Sequence, residues 1–192
     1  MWQQLLEGAR HTSSLELVSL ATGVAYALLA VRRLRWCWLF GAVSSIVLIY
    51  LAWQARLPMQ AALQVFYVLM AGYGFVSWSR RSGSAPVAVA RGTMRGNLVL
   101  LLAVIGLGVT LAPWVAAYTE AAWPRIDTAV TVASIVATWL TARARLESWA
   151  YWIVIDLISI GLYVAQGLPF VALLYLIYAG IAVAGWIAWR RQ

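Results

Sequence analysis

At 192 residues, with 64% hydrophobic side chains, only 10% charged ones and a formal charge of +8, the chain is too apolar for an ordinary soluble domain, and lipid must be the solvent for most of it. Its 14 basic residues are all arginine, and membrane-length apolar runs interrupt them, so the excess reads as a topology signal and excludes a nucleic-acid partner. A lone cysteine, Cys37, excludes a disulfide framework, and with His11 as the sole histidine no metal site is expected.

The lead-in from Met1 to Ser14 is polar and does not read as a signal peptide, because the first apolar run continues to spanning length. Seven apolar runs follow, at 15–31, 37–53, 60–78, 97–117, 126–142, 148–165 and 169–189. Several are near the lower limit of about 17–20 residues for a spanning helix. The stretch from Ser82 to Gly96 is the only real linker; brief connections elsewhere predict a compact, all-α bundle.

Seven spans put alternate loops on opposite sides. One side holds Arg32, Arg33, Arg35, Arg80, Arg81, Arg91, Arg95, Arg143, Arg145, Arg190 and Arg191, and the other only Arg10, Arg56 and Arg125. The positive-inside rule then predicts the N-terminus outside and the C-terminus in the cytoplasm.

Moving the second half back by 111 residues lays Arg143 on Arg32, Trp149 on Trp38, Pro169 on Pro58, Tyr178 on Tyr67, Gly185 on Gly74 and Trp189 on Trp78. Asp127 falls on Glu16 under the same shift. One three-helix unit used twice explains this, over 15–81 and 126–192, with a central linking helix at 97–117, all in a single transmembrane domain of 1–192. A single span between the triplets gives both the same orientation, which predicts a parallel 3+1+3 repeat of SWEET type; duplicated bundles of this kind are a hallmark of secondary transporters.

Most of the 12 tryptophans lie near span ends, among them Trp36, Trp38, Trp53, Trp78, Trp114, Trp123, Trp139, Trp149, Trp186 and Trp189, where an interfacial aromatic belt explains them. Span 6 asks for more. Trp149, Trp152 and Asp156 follow an i, i+3, i+7 spacing that shares one helix face. Asp156 stands about eight residues into that span and is the only acid near the midplane. Glu16 and Asp127 begin their spans, while Glu7, Glu120 and Glu147 fall in terminal or loop regions. A carboxylate at that depth costs about 2.5–3.5 kcal/mol on insertion scales, so it faces a cavity or a polar partner, and no intramembrane Arg or Lys is on offer. Two readings stay open: a hydrogen-bonded Asp joining two helices, or a counter-charge for a cationic ligand.

The third span of each triplet carries a second stripe. Gln64, Tyr67, Ala71, Gly74 and Trp78 match Tyr175, Tyr178, Ala182, Gly185 and Trp189 under the shift. The small residues allow close helix approach. Gln64, Tyr67, Tyr175 and Tyr178 need hydrogen-bond partners, which either neighbouring helices or a hydrophilic ligand can supply. An aromatic box with one carboxylate suits a flat organic cation such as a pyridinium or thiazolium, each ring face adding about 0.5–2 kcal/mol. No phosphate-binding loop, catalytic triad or close carboxylate pair is present, so neither enzymatic chemistry nor a cofactor is expected.

The chain resembles the nicotinamide riboside transporter (PnuC-type) family from about Leu15 to Trp189. Leu15-Glu16-Leu17, Arg35-Trp36-Cys37-Trp38 with Phe40-Gly41, and Leu63 to Tyr67 with Tyr73-Gly74 carry the likeness in the first half. Ala142-Arg143, Glu147-Ser148-Trp149, Trp152, Asp156, Gly161 to Tyr163, Leu173 to Tyr175 and Gly185 carry it in the second. The resemblance implies SWEET-like architecture, a homotrimer, a multi-pass place in the bacterial inner membrane, and facilitated diffusion of a vitamin precursor that a cytoplasmic kinase then traps. It also implies that Trp149 and Trp152 contact substrate. Ser148 stands where the family usually has Asn, and Leu39 where it often has Pro, so Ser148 is a candidate for tuning the ligand. Nicotinamide riboside is the first expectation and thiamine, carried by relatives of the same family, the second.

The expected substrate-binding set is therefore Gln64, Tyr67, Ser148, Trp149, Trp152, Asp156, Tyr175 and Tyr178. Two rivals are a non-transporting membrane scaffold, whose aromatic residues only pack, and a proton-coupled carrier with Asp156 as proton carrier.

Overall fold

A capping box opens the first helix. The Ser13 hydroxyl accepts from the Glu16 N–H at 3.3 Å, and the Glu16 carboxylate accepts from the Ser13 N–H at 2.6 Å, so two otherwise orphaned donors are satisfied. The computed structural model describes residues 13–192 apart from 55, 57, 83, 84 and 119–122, so the lead-in, with Glu7, Arg10 and His11, and also Glu120, lie outside the described residues. Seven α-helices follow: α1 (Ser14–Val31), α2 (Cys37–Gln54), α3 (Pro58–Ser82), α4 (Met94–Tyr118), α5 (Pro124–Ala142), α6 (Glu147–Ala165) and α7 (Pro169–Arg190). Proline opens α5 and α7, where its missing N–H removes nothing from the hydrogen-bond ladder.

Six of these helices are long and apolar enough to cross a membrane, and α5 is the exception. Its 19 residues cover about 28 Å at 1.5 Å per residue, so length is not the difference. Polarity is. Thr128, Ser134, Thr138 and Thr141 each donate to the carbonyl four residues earlier, at 2.6–2.9 Å, and all four are buried by neighbouring helices. A helix enclosed by protein can carry hydroxyls that a lipid-facing helix could not.

The helices close a ring: α1 packs on α2, α2 on α3, α3 on α5, α5 on α6, α6 on α7, and α7 returns to α1, while α4 packs on α5 from outside. Equivalent details recur in the two triplets at the 111-residue spacing. Left-handed backbone turns the chain at Arg33 (φ 60°) and Ala144 (φ 53°), and again at Arg56 (φ 57°) and Gly167 (φ 73°). Of these four only Gly167 lacks the Cβ that makes such a conformation costly.

One end of the ring is filled by indoles. Trp38 meets Trp78 edge-on at 5.5 Å, Trp149 meets Trp189 edge-on at 5.3 Å, and Trp78 and Trp189 join the two pairs at 6.2 Å. Among the tryptophans expected as an interfacial belt, Trp36, Trp53, Trp114 and Trp123 are exposed to the surroundings, but these four are buried core. The reason is local space: a Cβ at Gly74 would stand 2.3 Å from the Trp38 ring, and one at Gly185 would stand 2.5 Å from the Trp149 ring. The Trp78 indole donates to the Ala142 carbonyl at 3.1 Å, and the Trp189 indole to the Val31 carbonyl at 3.0 Å.

The linker before α4 is stitched across the same end. Ala90 accepts from the Leu146 N–H and donates to the Ala144 carbonyl, Val87 is fully buried, and Arg33 donates to the Val87 carbonyl at 3.2 Å. Arg81 donates to the Arg143 carbonyl, and Arg91 to the Arg190 carbonyl. Glu147 accepts from the Gly92 N–H at 2.6 Å and from Asn97 at 3.2 Å, and pairs with Arg145 at 3.3 Å. Arginine-bearing segments from across the chain thus meet at one end of the bundle.

Candidate binding site

Above the indole floor the ring encloses a cavity of about 290 Å³, with wall residues from all six of its helices. Seven of the eight residues expected from the sequence line it: Gln64, Tyr67, Trp149, Trp152, Asp156, Tyr175 and Tyr178. Ser148 does not. It is fully buried, and its hydroxyl donates to the Arg145 carbonyl at 2.8 Å. One residue along a helix turns the side chain by about 100°, so the neighbour of a cavity-facing tryptophan points elsewhere. The ligand-tuning role expected for Ser148 is thereby corrected to a local bond at the start of α6.

Asp156 is 4% exposed. Among the described residues no group donates a hydrogen bond to its carboxylate, and the only ion pair is the distant Arg145–Glu147. Tyr175 and Tyr178 on α7 lie within its electrostatic reach. Tyr175 is held by stacking on Tyr163 at 5.2 Å. Tyr178 crosses toward α1, where its hydroxyl would stand 2.7 Å from a Cβ at Gly23, so glycine is what admits it. At the matching position of the other triplet, Tyr67 meets Ser134 of α5. Gln64 is also buried and without a hydrogen-bond partner among the described residues.

The two expected ring-binding tryptophans differ. Trp149 is buried against Gly185 and Trp189 and forms the floor, whereas Trp152, one turn along α6, is half-buried. Its indole donates to the Thr141 hydroxyl at 3.2 Å, which fixes the ring against α5. Trp152 is the better placed to offer a face to a ligand.

The sequence reading missed Tyr26, Ser44, Ser45, Thr138 and Thr141, all in the cavity wall. The 111-residue spacing could have found Ser45, because it is the counterpart of Asp156. The hydroxyls recurring along α5 were a second signal. Tyr26 carried none, since a tyrosine in an apolar run looks like packing.

The model of the family described as nicotinamide mononucleotide transporter matches residues 13–191. The chain is 29% identical over 193 residues to the riboflavin/roseoflavin transporter RibM of Streptomyces davaonensis, which covers 95% of this chain and 89% of that protein. It is 26% identical over 186 residues to the nicotinamide riboside transporter PnuC of Escherichia coli (strain K12), covering 80% of this chain and 76% of that one. A crystal structure of the vitamin B3 transporter PnuC shares the fold, with a TM-score of 0.78 over 98% of this chain and 86% of the other at 24% identity. These relatives are membrane transporters and not enzymes. With six helices apolar enough to span and a family match over nearly its whole length, the chain is a multi-pass membrane protein that belongs to the nicotinamide mononucleotide transporter family.

Proposed function

We propose that the chain takes up a small vitamin with a flat cationic ring, nicotinamide riboside first, across the bacterial inner membrane. The observation that carries this is Asp156, a buried carboxylate at the cavity wall with no partner among the described residues. An unpaired charge in such a site is costly, and a cationic ligand removes that cost. Trp152 offers the ring a face, Asp156 neutralises it, and Gln64, Tyr67, Tyr175 and Tyr178 bind its amide and hydroxyl groups. Trp149 supports Trp152 from below.

The proposed architecture is a parallel 3+1+3 repeat with the N-terminus outside and the C-terminus in the cytoplasm. The contacts that recur at 111 residues and the eleven-to-three arginine split support it. The two triplets rock about the central site to expose it to each side in turn. Facilitated diffusion, trapping by a cytoplasmic kinase and assembly as a homotrimer belong to the same proposal and rest on the family resemblance.

A second reading, riboflavin, is favoured by the likeness to RibM, which extends over 95% of the chain. Thiamine, another aromatic cation, satisfies the same carboxylate. Equilibrium binding to the purified protein, with nicotinamide riboside, thiamine and riboflavin measured in parallel on wild type and Asp156→Asn, separates them. The proposal expects nicotinamide riboside to bind and Asp156→Asn to weaken it at least tenfold. Binding of riboflavin alone, indifferent to the substitution, overturns it in favour of the second reading. Binding of none returns the chain to a scaffold role.

A further inference from the structure

We propose that Ser45 is the residue that selects the hydroxylated tail of the ligand, opposite the ring-binding wall of α6. The inference rests on the reading of the cavity as a vitamin site and goes beyond it, to which side takes which end of the molecule.

Ser45 and Asp156 are 111 residues apart, on α2 and α6, and both stand in the wall of one cavity. Both are buried, Ser45 at 7% exposure. The other serine and threonine hydroxyls of that wall are already engaged. Ser44 donates to the Ser19 carbonyl at 2.9 Å, and Ser134, Thr138 and Thr141 each donate to their own helix. Among the described residues, Ser45 alone of these hydroxyls has no partner. Burying a hydroxyl without a hydrogen bond is unfavourable, so one that faces a cavity calls for a ligand or water.

The two walls are unlike in a way that orients a ligand. Where α6 carries Trp152, α2 carries Gly41, and where α6 carries Asp156, α2 carries Ser45. The α6 wall is therefore bulky, aromatic and anionic, while the α2 wall is open and neutral. A carboxylate only accepts hydrogen bonds, but a serine hydroxyl both donates and accepts, as sugar hydroxyls do. A molecule with a cationic ring at one end and a polyhydroxylated tail at the other fits with its ring on α6 and its tail on α2.

The test uses two probes that share ring, carboxamide and charge: nicotinamide riboside, and 1-methylnicotinamide, in which a methyl group replaces the ribose. Ser45→Ala should weaken nicotinamide riboside by about 3- to 10-fold, the range for one neutral hydrogen bond. It should leave 1-methylnicotinamide within about twofold, while Asp156→Asn weakens both. Ser45→Thr, which keeps the hydroxyl, should restore nicotinamide riboside binding. The unfolding temperature of Ser45→Ala should equal or exceed that of wild type, because no protein hydrogen bond is lost. Equal effects on the two probes, no effect on either, or a destabilised Ser45→Ala overturns the inference and leaves the vitamin reading standing. If wild type binds only riboflavin, the same comparison is made with lumiflavin, which lacks the ribityl chain, and equal effects again overturn the inference. If wild type binds no vitamin, the reading and the inference fall together.

Discussion

Gly185→Ala should loosen the indole floor, and the geometry says by how much. A Cβ there would stand 2.5 Å from two atoms of the Trp149 ring and 2.7 Å from a third. Carbon atoms in good contact are about 3.5–4.0 Å apart, so more than 1 Å must be found. Trp149 cannot retreat away from α7, because Trp189 holds it edge-on at 5.3 Å. Either the ring swings up into the cavity or α6 and α7 separate. Overpacking of this kind costs about 1–3 kcal/mol. For a chain of this size that lowers the unfolding temperature by about 2–4 °C per kcal/mol, or roughly 3–10 °C in total. Thermal unfolding in detergent measures it, and vitamin affinity should fall alongside. Gly180 on the same helix is the control: nothing lies within 4 Å of its Cβ position, so Gly180→Ala should be neutral or stabilising, by up to about 1 kcal/mol. Gly74→Ala, at 2.3 Å from the Trp38 ring, should behave like Gly185→Ala. A Gly185→Ala protein that melts no lower than Gly180→Ala refutes the packing argument, and divergence of the Gly74 and Gly185 variants refutes their equivalence.

Trp152→Ala should abolish saturable uptake while the protein still inserts and purifies, and undiminished uptake removes that residue from the site. Glu147→Gln discards the charge that holds Gly92, Asn97 and Arg145, so the linker around Ala90 should be cut faster in limited proteolysis; an unchanged rate means that the cluster does not secure the strap.

Much of the architecture could be read from residue order, because lipid demands long apolar runs and leaves little else ambiguous. The paired landmarks proved to be contact partners: Trp38 lies on Gly74, and Trp149 on Gly185. What periodicity could not convey was depth. Trp149 and Trp152 share a face, yet one turn separates a packed floor from an accessible wall. Nor does hydropathy distinguish a belt tryptophan from one wedged over a glycine, since both sit at span ends. Ser148 misled because its neighbour's orientation was lent to it. The hydroxyls of α5 lowered its apolar character without revealing that the helix is enclosed by its neighbours and wall-forming.

The reciprocal indole bonds, Trp78 to Ala142 and Trp189 to Val31, have a mechanical corollary. They clasp the halves at the arginine-rich pole, together with the strap, whereas the hydrogen bonds described between the triplets at the far pole are none. Hinging about that clasp parts the far mouth without sacrificing a bond, while gaping at the clasped pole must break both indole bonds at once. The bundle therefore behaves like tongs riveted at one tip, and the slow stroke of its cycle is the one that undoes the rivet.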